Sequence, residues 1–300
     1  MTGLWSAGAN LATARMELGG GGNSKDAICM GGMDGSYDDT AKTEEYNGTA
    51  WSSGGDVSIV RIEFVGRGNS TDAIVMGGLD TNDYQPTLET EKYNGTAWSS
   101  GPNLASKRQR PAGGGNSSNG ICMGGYLMDE NQEQSYLVST EELNGTAWGA
   151  GGDLGTEVYH TVSGGNSSDA FCTGDLEDFI TTQEYNGTAW GTGGDLGVGR
   201  EGAAGGGNST DAICTAGMIW SPYGATKKTE VYNGTAWANG GDLLTGRYQL
   251  AGGGSSSNAI CMGGLNSAGI TVLSATEVYS EGSSAIVIPV FMSQYRQRRT

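Results

Sequence analysis

His160 is the only histidine in the 300 residues, so any imidazole chemistry must run through it. A Ser-His-Asp triad would have to be built on that one ring, and no nucleophile elbow accompanies it. On the approach to a Gly-rich strand, it reads as an ordinary surface residue. The thiols fare no better. Cys29, Cys122, Cys172, Cys214 and Cys261 each stand two residues before a glycine pair or its remnant, and Val75 takes that place once. Interchange with Val marks a small buried hydrophobe rather than a metal ligand or redox group. Equivalent positions in successive repeats neither converge on one metal nor approach closely enough for a disulfide.

Carboxylates are plentiful, with 33 Asp and Glu against 16 Lys and Arg and a formal net charge of −17. Glycoside hydrolysis needs only two of them, but no spacing fixes a pair, and the chain reads as non-enzymatic. Asp34, Asp38 and Asp39 offer oxygen ligands to calcium without an EF-hand spacing; no other cofactor is expected. The charge and the lack of a basic stripe exclude generic nucleic-acid binding. No run approaches the roughly 18 apolar residues of a membrane span, so no membrane insertion is expected. Met1 leads straight into repeat sequence at Leu4 and Trp5, so no signal peptide is expected.

What positions these side chains is a repeat. The pentapeptide Asn-Gly-Thr-Ala-Trp begins at Asn47, Asn94, Asn144, Asn186 and Asn233, a period of roughly 47 residues. Trp5 opens the chain at the same phase. Within one copy, a Gly-rich run (Gly19 to Gly22) leads through the turn Asn23-Ser24-Lys25-Asp26 into Ala27-Ile28-Cys29-Met30. A polar loop follows, then Thr43-Glu44-Glu45-Tyr46, Asn47-Gly48 and Thr49-Ala50-Trp51. Asn-Gly between two β-prone runs signals a tight hairpin, and the Asn-Ser turn is a second one. Glycines suit the first strand if strands crowd around an axis. The copy therefore reads as four strands. The Asn-Gly-Thr sequons match glycosylation acceptors, but their place in every hairpin explains them.

The glycine pairs Gly31-Gly32, Gly77-Gly78, Gly124-Gly125 and Gly263-Gly264 precede a Tyr and then a Trp at fixed spacing. The pair is degraded to Gly174-Asp175 and Ala216-Gly217, and Leu143 replaces the Tyr once. This pattern resembles the kelch repeat over about residues 1–280. The resemblance implies an all-β, six-bladed β-propeller of four-stranded blades, with residues 281–300 as an apolar and basic tail. The last copy stops after its third strand at Tyr279, so the N-terminal strand around Trp5 is expected to close the ring and remove free sheet edges. Galactose oxidase shares such blades, but its copper site needs histidines that are missing here. The near-identity of the copies resembles kelch-type proteins of bacteriophages and environmental bacteria. That implies a virion fibre or decoration protein contacting host-surface glycan or protein, with an intracellular scaffold binding a protein partner as the alternative and a glycan hydrolase, for which carboxylates are plentiful, as the third reading.

Two columns of the repeat vary together. Ten residues after each Trp stand Arg15, Arg61, Arg108, Val158, Arg200 and Arg247. Two residues before the Tyr position stand Glu44, Glu91, Glu141, Gln183, Glu230 and Glu277. The copy that lacks the Arg also lacks the Glu, which predicts an ion pair inside each blade. Only the connection between second and third strands varies in length, so these loops form the expected binding face. Trp220, Tyr223, Tyr37, Tyr84, Tyr126 and Tyr136 are its candidate anchors, joined by Asp129 among the acids. The tail, from Ala285 to Met292 with Arg296, Arg298 and Arg299 beyond, is expected to dock onto other virion or assembly proteins.

Overall fold

Each copy of the repeat folds into one four-stranded antiparallel sheet. In the first, Gly19–Gly22, Ala27–Met30, Thr43–Tyr46 and Trp51–Ser53 follow one another from the inside outward. The computed structural model describes residues 3–128, 133–266, 268 and 270–281, and six such sheets stand among them, without a helix. Their inner strands meet in a ring, with Gly19–Gly22 lying against both Val65–Asn69 and Ala251–Gly254. The chain is a six-bladed β-propeller. Leu4–Ala7 supplies the outer strand of the last blade, pairing with Thr276–Ser280 so that Trp5 faces Tyr279. The expected C-terminal tail lies outside the described residues.

The constancy of the repeat has a physical cause at each residue. Asn47 Oδ1 accepts from the amides of Thr49 at 3.0 Å and Ala50 at 2.9 Å, holding the turn that Gly48 makes with φ of 91°. The Trp indoles reach into the preceding blade: Trp98 Nε1 donates to Thr43 Oγ1, and Trp5 Nε1 to Thr229 Oγ1, each at 2.9 Å. Tyr hydroxyls cross the same seams, from Tyr93 to Glu45, Tyr185 to Glu142 and Tyr232 to Glu184. Leu143 stands at the one exception to the Tyr column. The third strand of the blade before it carries Lys92 where blades 1, 3 and 4 carry Glu and blades 5 and 6 carry Val, and Lys92 Nζ donates to Gly145 O at 2.8 Å. Second strands such as Ala27–Met30 are wholly buried between sheets, and the five cysteines are free and buried there. Burial raises their thiols, to about 12 at Cys29 and Cys122 and about 11 at Cys214 and Cys261.

The Arg–Glu pairs are present in five blades: Arg15–Glu44 at 2.8 Å, Arg61–Glu91 at 2.9 Å, Arg108–Glu141 at 2.8 Å, Arg247–Glu277 at 2.5 Å, and Arg200–Glu230. Each carboxylate also binds backbone, which pairing alone does not reveal. Glu91 accepts from the amides of Ser58 at 2.7 Å and Ile59 at 3.2 Å, tying down the connection from the preceding blade. In blade 4, where Val158 replaces Arg, Gln183 still ties down that connection, since its Oε1 accepts from Gly155 N at 2.7 Å. Its Nε2 donates to Thr156 O at 3.2 Å and so needs no Arg.

Candidate binding face

The variable loops and the inter-blade connections emerge on one face. Several of the loops fold back as short hairpins, such as Tyr126–Met128 with Gln134–Tyr136 and Met218–Trp220 with Tyr223–Ala225. Trp220 and Tyr223 are cross-strand partners at the tip of the second, with ring centroids 5.7 Å apart and exposures of 56% and 70%. Trp220 also lines a groove of about 510 Å3 against Glu177, Asp178 and Phe179 of the neighbouring blade. Tyr37 and Tyr84 are exposed on left-handed backbone, with φ of 64° and 53°. A bulky residue holds that conformation at a cost.

Tyr126 departs from expectation. It is only 6% exposed rather than displayed on the rim, because it packs in a cluster with Tyr136 and Tyr159 at centroid distances of 5.6–6.1 Å. Its hydroxyl donates to Glu63 Oε2 at 3.3 Å, toward the propeller axis. Tyr136 is half-buried beside it. Asp129 lies outside the described residues.

That hydroxyl leads to a site the sequence reading missed. Two residues after each Arg position, where the chain turns into an inner strand, stand Glu17, Glu63, Arg110, His160, Gly202 and Gln249. All six have positive φ, between 45° and 58°. Backbone amides link neighbours around the axis, as from Gln249 N to Gly202 O at 2.7 Å and Gly202 N to His160 O at 3.2 Å. The backbone repeats while the side chains do not. Arg110 Nε donates to Glu63 Oε1 at 3.0 Å, its Nη2 lies 3.8 Å from Glu17 Oε1, and its Nη1 lies 3.5 Å from His160 Nδ1. Gln249 Nε2 donates to Glu17 Oε1 at 2.6 Å. His160 is therefore a channel residue, not the surface residue expected. Burial first, and Arg110 second, lower its pKa to about 3, so the ring is neutral. Burial raises Glu17, partly offset by Arg110, and burial would lower Arg110 but for the carboxylates of Glu63 and Glu17.

Below this ring the channel is plugged. Gly21, Gly114, Gly164, Gly206 and Gly253 occupy one inner-strand position in five blades, and Arg67 occupies it in the sixth. A Cβ at Gly21 or Gly114 would stand 2.5 Å from a neighbouring carbonyl oxygen, so the axis has room for one side chain and not for six. The Arg67 guanidinium donates to Gly113 O and Gly20 O at 3.0 Å, to Ser163 O at 3.1 Å and to Gly252 O at 3.4 Å, joining four other blades. Without a carboxylate partner, burial lowers it to about 10. Arg67 separates a cavity of about 110 Å3 on the variable-loop side from one of about 280 Å3 among the fixed turns. The signal was legible. In a frame where most columns are constant, one column reads Glu, Glu, Arg, His, Gly, Gln, and another reads Gly with a single Arg.

Among the described residues, no group of three or more His, Cys, Asp or Glu is arranged to hold a metal ion. Asp34 spends Oδ1 on the amides of Ser36 at 2.7 Å and Asp38 at 3.2 Å, within its own loop.

No protein-family model and no curated protein matches the chain. Among solved structures it is similar to that of YjhT, with a TM-score of 0.71 at 11% identity over 89% of this chain and 95% of that one. At that identity the likeness concerns the propeller fold alone.

Proposed function

We propose that this chain is a non-enzymatic binding propeller of kelch type, carried on a virion as a fibre or decoration module, that contacts host-surface glycan or protein through its variable-loop face. The observation that carries the reading is the Trp220–Tyr223 pair. Two large aromatics stand largely in water at a hairpin tip, beside a groove, on a face whose loops all differ. Side chains of this kind are kept in water when a partner covers them, and they present flat apolar surface to sugar rings or protein anchors. The fixed turns on the opposite face repeat one short sequence and carry little information for discrimination. The virion setting rests on the repeat phrases.

The test is binding of the purified propeller to a glycan array and to candidate host cells. Trp220→Ala and Tyr223→Ala should each weaken binding by about tenfold or more, as interface anchors do, with melting unchanged. Ser70→Ala on the far face should bind like the parent. Silent aromatics together with essential Asn-Ser turns would refute the reading. Binding to a cytoplasmic protein and to no surface glycan or surface protein would favour the intracellular scaffold.

A further inference from the structure

We propose that the channel mouth above Arg67 is a second ligand seat, separate from the Trp220 rim, that takes a neutral, hydroxyl-rich group such as one uncharged pyranose unit. The cavity, of about 110 Å3, accepts the edge of such a ring, and the Tyr126, Tyr136 and Tyr159 cluster reaches its wall through the Tyr126 hydroxyl on Glu63. Its polar groups keep capacity after their mutual bonds are counted. Arg110 always donates, so His160 Nδ1 accepts and the neutral imidazole carries its proton on Nε2. That edge lies over Gly202, the one ring position without a side chain, with Nε2 3.5 Å from where a Cβ would stand. Glu17 commits Oε1 to Gln249 Nε2, leaving its Oε2 and the Gln249 Oε1 as acceptors. Donors on one side (Arg110 and His160 Nε2) and acceptors on the other (Gln249 Oε1, Glu17 and Glu63) thus share a small opening, which suits adjacent hydroxyls, each being donor and acceptor at once.

The charges select against ionic ligands. Arg110 is held between Glu63 and Glu17, with the Glu201 carboxylate also acting on it, and Arg67 forms the floor, so charges of both signs surround the opening. An anion meets Glu17 and Glu63, and a cation meets Arg110 and Arg67. The seat also explains why these six positions diverge on a constant backbone: the fold needs the turn there and leaves the side chain free for another use.

The experiment titrates methyl glycosides of glucose, galactose and mannose into the intact protein, beside glucuronate and glucosamine as charged counterparts, by saturation-transfer NMR and calorimetry. At least one neutral glycoside should bind with a Kd of about 1–10 mM, the range for a dozen heavy atoms. The charged pair should bind at least about fivefold more weakly. His160→Ala and Gln249→Ala should each weaken binding by about tenfold, and Trp220→Ala should leave it unchanged. Thermal melts report whether each variant folds, and Gln249→Ala suffices if His160→Ala does not. No neutral binding up to about 50 mM, tighter binding of glucuronate, or parental affinity in the folded channel variants would overturn the proposal. Loss in Trp220→Ala alone would place the sugar on the rim and leave only the rim reading standing.

Discussion

Blade 4 is a natural experiment on the buried ion pair, and transplanting it into blade 2 gives a quantitative prediction. Arg61 is buried, and its guanidinium donates to Gly77 O at 3.1 Å, Glu89 O at 2.8 Å and Glu91 Oε1 at 2.9 Å. Arg61→Val removes all three bonds and leaves the Glu91 carboxylate buried without its counter-charge, a loss of about 3–5 kcal/mol. Glu91→Gln alone weakens one charge-assisted bond and should cost about 1–2 kcal/mol. The double change reproduces Val158 with Gln183. No charge is stranded, and a Gln keeps accepting from Ser58 N and Ile59 N as Gln183 does from Gly155 N at 2.7 Å. It also removes the Arg61 Nε, a buried donor with no partner. The double variant should therefore lose about 2–3 kcal/mol, less than Arg61→Val alone, with a coupling of about 1–5 kcal/mol. Arg61→Val with Glu91→Leu should be worse by a further ~1–3 kcal/mol, because the two loop amides then lose their acceptor. Equilibrium urea unfolding of the four variants and the parent measures this, with m-values checking that the unfolded ensemble is unchanged. Costs that add within about 0.5 kcal/mol would refute the reasoning.

Three further outcomes are expected. Deleting residues 1–8 strips the outer strand from Thr276–Ser280 and exposes an unpaired edge; the product should melt lower and aggregate, and melting at the parental temperature would contradict ring closure. In native protein a thiol reagent should find almost no reactive groups, because all five sulfurs are buried and their pKa values raised, and it should find five after denaturation. A mass deficit from a bridge, or stoichiometric zinc, would count against this. His160 has a folded pKa near 3 against an ordinary 6.5, so as pH falls below 6.5 the unfolded chain takes the proton first and stability is lost down to about 3. His160 is only partly buried by surface area, and this residual exposure tempers the loss to about 1–2 kcal/mol; His160→Gln should recover it at pH ~4 but not at pH ~8. A variant that loses stability more steeply in acid than the parent would reverse the sign.

The repeat carried the fold in plain view. Asn-Gly turns, Gly pairs and the Trp spacing each encode a contact within a blade or with the next, so their recurrence fixed strand number, blade number and closure by Leu4–Ala7. The Arg–Glu pairs were legible for the same reason: partners separated by a constant interval are lost together, as at Val158 and Gln183. The sequence also named exposed rim aromatics, and Trp220 and Tyr223 stand where a variable loop must stand. The diverging column was visible in it, but not that its residues meet on the axis. Glu17, Glu63, Arg110, His160 and Gln249 lie far apart along the chain and belong to different blades, so no local pattern links them. They meet only because a closed ring brings equivalent positions of every blade to one point. Arg67 is the plainest case. On the chain it is a charge in a Gly-rich strand. In the ring it is the single side chain for which five glycines leave room, and it donates to carbonyls that only closure brings within reach. Tyr126 turned inward for a related reason, since Glu63 of the neighbouring blade offers its hydroxyl an acceptor. Local hydrogen-bonding and packing rules determined the blade; the site on the axis was decided by symmetry, which converts one column of the aligned repeats into a circle of neighbours.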